Sequence, residues 1–145
     1  FLHWIKMEVS GKEWSKAIAV ADKALKAHPD FYEMKERKVY AQRQAGFDLH
    51  RGLHREKAEK MWSEAVEEVK RAIKAPEELE SGARQQSACM LSTIVICLDM
   101  LGRFRERDLW LDRWEKEHPD DPEVGRQKQF LRNKRGDASL GAPYS

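Results

Sequence analysis

The chain has 145 residues and a mass of 17.0 kDa, enough for one domain with a real core and too little for two. Although 36% of the residues are charged, the formal net charge is only +2, so opposite charges interleave and a global polyelectrolyte attraction to nucleic acid is excluded. Five Pro, eight Gly and a single Asn (Asn133) leave few turn formers for a many-stranded sheet, while long runs of Ala, Leu, Glu, Lys and Arg favour an all-α fold.

Gly11, Pro29, Gly46, Gly52, Pro76, Gly82, Gly102, Pro119, Pro122 and Gly136 punctuate the chain. They predict helices near residues 2–9, 12–28, 30–45, 55–75, 83–101, 103–118 and 121–134, with boundaries good to about two to four residues. Residues 1–134 then form a single domain and 135–145 a flexible tail. The opening Phe1 to Lys6 lacks an initiator Met and the basic-then-apolar order of a signal peptide, the pattern of an excised fragment. The most apolar run, Ala88 to Leu101, contains Ser92, Thr93 and Asp99 and falls short of the roughly 20 apolar residues of a membrane span. It reads as a buried helix, with Met90, Leu91, Ile94, Val95, Leu98 and Leu101 at the centre of the core. Cys89 and Cys97 lie about 12 Å apart on such a helix and cannot pair with each other. Free thiols of this kind predict a reducing, intracellular and most simply cytoplasmic location.

The chain carries an internal repeat. Trp14-Ser15-Lys16-Ala17-Ile18 is matched by Trp62-Ser63-Glu64-Ala65-Val66, and Ala24-Leu25-Lys26-Ala27 by Ala72-Ile73-Lys74-Ala75, both at an offset of 48. A third copy is offset by 90: Phe104 stands at the Trp14 position, Leu111 at Ala21, Trp114 at Ala24, and Glu117-His118-Pro119-Asp120 matches Ala27-His28-Pro29-Asp30. In each, an aromatic residue is followed at helical spacing by small or apolar side chains on one face. In the first and third, a Pro ends the helix.

In these residues the chain resembles the tetratricopeptide repeat family, whose second helix carries an aromatic, two spaced alanines and a Pro in this order. Trp14, Ala17, Ala24, Leu25, Pro29 and Asp30 carry the likeness best. It weakens at the third copy, where Arg107 takes the usual small-residue position, and at the first helices of the hairpins, where Lys35, Lys38 and Val95 depart from the pattern. Roughly ten extra residues, Phe47 to Glu56, also separate the second pair. The resemblance spans about residues 1–121. It implies antiparallel helical hairpins stacked as a short right-handed superhelix, with a helix near 121–134 as C-terminal cap. It further implies a scaffold or adaptor module that binds a peptide or protein partner on the concave face through first-helix residues. Tyr32, Lys35, Tyr40, Arg43, Arg84 and Ser87 are the candidates, and Trp110 is added as a partner contact because Leu109-Trp110 falls outside the repeat's inner face. The Lys and Asn arrangement of members that clamp chaperone C-termini is missing, Asn133 being the lone Asn.

Other chemistry is thinly represented. His50 and His54 are four residues apart, as metal ligands on a helix would be, but Gly52 interrupts them and Arg51 and Arg55 oppose a cation. That segment reads as a solvated loop, so neither a metal nor a cofactor is expected. No Ser-His-Asp order, Gly-rich phosphate loop or Cys-x-x-Cys is present, which leaves no catalytic residue to name; an enzyme would need a site assembled only in space. From Arg126 to Arg135 there are five bases and no acid, preceded by eight acids against three bases from Glu106 to Glu123. The two runs are expected to attract each other, the rival reading being a nucleic-acid-binding helical domain. A cap packed through Val124 and Phe130 predicts a monomer; an uncovered Trp110 would instead predict a weak homodimer.

Overall fold

The computed structural model describes residues 13–139, with side chains described through Leu131. These residues are all-helical, with no strand among them: α1 (Trp14–Ala27), α2 (Tyr32–Arg51), α3 (Arg55–Ala72), a single 3-10 turn (Pro76–Glu78), α4 (Arg84–Met100), α5 (Phe104–Glu117) and α6 (Pro122–Ser139). The helix expected over 2–9 lies outside the described residues. Consecutive helices pack on one another, and α2 also packs against α4.

The repeat seen in the sequence is a repeat of structure. α1 and α5 are each 14 residues long and begin 90 residues apart. Trp14, Ala17, Ala21 and Ala24 are the buried face of α1; Arg107, Leu111 and Trp114 are that of α5; and Trp62, Ala65 and Val69 stand at the corresponding positions of α3. The helix ends repeat as well. The His28 N–H donates to the Ala24 carbonyl at 2.8 Å and the Phe31 N–H to His28 at 3.1 Å, while His118 and Asp121 repeat both bonds at 2.9 and 3.1 Å. In each case Pro follows the capping His, and a Pro at that place prevents the helix from continuing.

Trp62 fixes the crossing of α3 on α2. Its ring is 1% exposed, stands edge-on to Phe47 at 5.6 Å between centroids, and donates its indole N–H to the Arg43 carbonyl at 3.1 Å. The ring lies so close to the α2 backbone that a Cβ on Gly46 would come within 2.1 Å of the indole nitrogen. Gly46 is therefore a packing residue in mid-helix, and α2 runs on to Arg51 instead of ending near 45. This corrects the expected loop over 47–56: most of it is helix, with Asp48 and Arg51 paired across its last turn.

α2 and α4 end alike. In α4 the Arg103 N–H reaches the Leu98 carbonyl (2.9 Å) and Gly102 reaches Asp99 (3.0 Å), with Gly102 at φ 76°. In α2 the His54 N–H reaches Leu49 (2.8 Å) and Leu53 reaches His50 (3.0 Å). Such a terminus needs a left-handed residue and normally takes Gly. Here Leu53 fills it at φ 66°, with its side chain 90% exposed.

α4 is the central helix. Met90, Ile94, Cys97 and Leu98 pack with Trp62, Val66 and Val69, and Leu91 and Val95 pack with Leu111, Trp114, Val124 and Leu131. Leu101 is only half-buried. Arg107 is fully buried in the small-residue position, with its guanidinium on Asp99 of α4 at 2.6 Å and on Asp108 at 2.8 Å. Paired in this way, a charged side chain can fill a slot meant for a methyl.

α6 packs against α4 and α5 through Val124 and Leu131. Phe130, expected in that role, is 56% exposed. The helix also continues through Gly136 to Ser139, so the first part of the expected tail is helical; one Gly costs a helix only about 1 kcal/mol. Trp110 is half-buried, packs against both core clusters and lies under the Arg113 guanidinium at 5.1 Å. The attraction between the acidic and basic runs is present as a Lys128–Glu115 pair at 2.6 Å.

Three substitutions check this account. Gly46→Ala should lower stability by about 1–3 kcal/mol, the scale of core overpacking, even though Ala favours helix; Trp62→Ala should cost about 3–5 kcal/mol. Leu53→Gly should raise stability by about 0.5–1 kcal/mol, the relief of left-handed strain less the added chain entropy of Gly. Urea midpoints at constant slope read all three.

Candidate functional site

A groove of about 680 Å³ is bounded by α2, α4 and the turn between α5 and α6. Tyr40 and Arg43 of α2 form one side. Arg84, Gln85, Ala88, Cys89, Ser92 and Thr93 of α4 form the floor, and Trp114, His118, Asp120, Asp121 and Glu123 form the far side. Helical periodicity explains the floor: residues 84, 85, 88, 89 and 92 recur on one face of α4, at a spacing of about 3.6.

Each wall is held by a bond that the sequence does not display. Tyr32 and Ser87 join α2 to α4 through a 2.6 Å hydroxyl–hydroxyl hydrogen bond, and the Tyr32 hydroxyl also accepts the Lys74 backbone N–H at 3.3 Å. Arg43 lies over the Tyr40 ring at 4.6 Å, and Tyr40 is braced edge-on by Trp14 at 6.0 Å. On the far side Asp121 accepts the Trp114 indole N–H at 3.0 Å and the Glu123 backbone N–H at 2.9 Å, capping α6 and tying it to α5 with one carboxylate. Arg84 donates to the Glu117 carbonyl at 3.0 Å, where a cation meets the negative end of α5.

Of the residues expected to meet a partner, Tyr40, Arg43 and Arg84 line this groove together. Tyr32 and Ser87 do not: both are buried and satisfy each other. Lys35 is half-buried on α2 outside the groove, and Trp110 packs inward between the two cores. Cys89, Ser92, His118 and the carboxylates of the turn line the groove although the sequence put none of them forward as a partner contact. The duplicated His-Pro-Asp at 28–30 and 118–120 was the one signal that could have drawn attention to that turn.

The electrostatics are uneven. Burial pushes the Cys89 thiol up, with Glu36 adding to it against Arg37 and Arg43, so the groove cysteine is a thiol and not an activated thiolate. Burial carries the Cys97 thiol up to about 12. Glu36, beside the groove on α2, is also raised by desolvation. His118 is 5% exposed, and its Nε2 has no hydrogen-bond partner among the described residues. Burial and then the Arg84 charge lower its pKa, against Glu117 and Asp121. His50 and His54 are exposed, at the end of α2 and the start of α3. No group of three or more potential metal ligands occurs among the described residues, and no helix among them is long and apolar enough to cross a membrane.

The His118 environment gives the domain an acid limit. With the folded pKa below that of the unfolded chain, the unfolded state binds the extra proton first, so stability is complete above the ordinary value of about 6.5 and falls as pH drops from there toward the folded value. His118→Gln should flatten the melting temperature measured between about pH 7 and 5; an unchanged slope would assign that dependence to other groups.

No family model matches the chain, and comparison with curated proteins and with solved structures finds no match to either.

Proposed function

We propose that this chain is a protein-binding module of tetratricopeptide-like architecture, a scaffold or adaptor that holds a segment of another protein in the groove between α2, α4 and the α5–α6 turn. The observation that carries the reading is the groove itself, which brings Tyr40 and Arg43 of α2 and Arg84 of α4 to one opening beside the small side chains Ala88, Cys89 and Ser92. The packing of α2 against α4, together with the equivalence of α1, α3 and α5, supports a superhelical stack in which α2 and α4 line the inner, concave side. A binding role rather than catalysis is supported by the state of the groove's own titratable groups. The thiol is raised and the imidazole lowered, the reverse of an activated cysteine–histidine pair. The two free cysteines fit work in a reducing compartment.

Ser92→Trp fills the floor from the middle of α4, and Leu53→Asp alters an exposed site on the α2–α3 turn as a control. With far-UV circular dichroism and melting temperature matched to the parent, a partner recovered from lysate and identified by mass spectrometry should be lost with Ser92→Trp and kept with Leu53→Asp. A partner retained by both variants would place binding elsewhere and overturn the reading.

A further inference from the structure

α2 has a second lined face. Lys38 and Gln42 stand one turn apart on it, about 150° around the helix from Tyr40 and Arg43. On that side α1 and α3 flank α2 and leave a cleft of about 480 Å³, with Lys38 and Gln42 at its base. One level of the cleft is closed by charge: Lys38 reaches Asp22 of α1 at 2.8 Å and Glu68 of α3 at 3.2 Å, and Arg71 adds to Glu68 at 3.0 Å. One turn along from these residues come Gln42, Ile18 and Glu64, which line the cleft at the next level. There Gln42 is 3% exposed, and its Oε1 has no hydrogen bond among the described residues. A buried carbonyl oxygen without a donor destabilises the fold that contains it. The walls around it are acidic on balance, with Asp22, Glu64, Glu67 and Glu68 against Lys38, Lys60 and Arg71.

We propose that this cleft is a second interaction surface, which takes an arginine side chain of a partner protein, its guanidinium donating to Gln42 Oε1 and lying against the Glu64 carboxylate. The acidic walls select a cation, and the buried acceptor selects one that can donate a hydrogen bond at the base. A guanidinium does both at once, because its N–H groups fan out in one plane and can serve an amide oxygen and a carboxylate together. The inference does not depend on the groove being a binding surface. With the two surfaces on opposite faces of α2, occupancy of one leaves the other open, as a module that bridges two partners requires.

Nitrogen–proton correlation spectra of the isotopically labelled chain test it, titrated with the end-blocked peptide Gly-Ser-Arg-Ser-Gly and with the same peptide carrying citrulline, the uncharged isostere, in place of the arginine. The arginine probe should shift the Gln42 side-chain amide and the backbone amides around Glu64, and saturate at a concentration at least roughly tenfold below the citrulline probe. Glu64→Gln should weaken that binding and reduce its sensitivity to salt. Gln42→Leu should abolish the shifts around Glu64 and, because it removes an acceptor that has no donor, raise the urea midpoint at constant slope. Ser92→Trp, in the groove, should leave the titration unchanged. Equal binding of the citrulline probe, or arginine binding that survives Gln42→Leu, overturns the proposal. So does a lowered midpoint for Gln42→Leu, which would make the amide a structural group, and so does loss of binding with Ser92→Trp, which would assign the arginine to the groove.

Discussion

The contact on which the domain's geometry depends is the seating of Trp62 against the bare backbone of Gly46. An aromatic ring in van der Waals contact with a helix backbone allows α3 to approach α2 more closely than any residue with a Cβ would permit, and the indole N–H to the Arg43 carbonyl sets the rotation of one helix on the other. Because that carbonyl belongs to Arg43, the core contact and the groove share a residue. The backbone of Arg43 is fixed from the α3 side while its guanidinium lies on Tyr40 facing the opening. The placement of a surface charge thus follows from the packing of a buried tryptophan.

The remaining framework transmits that placement. α2 is tied to α4 by the Tyr32–Ser87 hydroxyl pair, and α4 is buried on two sides, against Trp62 and Val69 in one direction and against Leu111 and Trp114 in the other. Burial of an apolar side chain contributes about 1.5–3 kcal/mol, so a helix clamped on both faces is the natural reference for everything around it. The groove floor is simply the strip of α4 left between those two cores. Its residues are small or polar because that strip has no neighbouring helix to bury against.

Much of the fold was legible because a repeat declares itself through spacing alone. The positions 14, 17, 21 and 24 and their copies at 62, 65 and 69 are buried, and most of the apolar run on α4 forms the core as its composition required. What was not legible depends on partners distant in sequence. Gly46 reads as a helix end until the ring pressing on it is known. Tyr32 and Ser87 read as surface residues until they are seen to satisfy each other across 55 positions. Arg107 reads as a defect in the repeat until Asp99 and Asp108 are placed beside it. Leu131 and not Phe130 docks α6, a difference of about 100 degrees around the helix that depends on how Asp121 starts it. Of the groove, one side could be anticipated from first-helix residues; the other is built from a turn whose role arises only when α6 folds back.

That turn gives the two sides of the groove different mechanical character. The α2 side is anchored through Trp62 to the large core and through Trp14 to a smaller cluster with Ala41 and Ala45, so it opens only when those clusters open. The far side ends on α6, which between Pro122 and Leu131 buries only Val124 and Leu131 and is joined to α5 by Asp121 and by the Lys128–Glu115 pair. Elements with few buried contacts open at lower free energy than the domain as a whole. By that measure α6 opens more readily than α4, and the edge of the groove that α6 carries yields before the α2 side does.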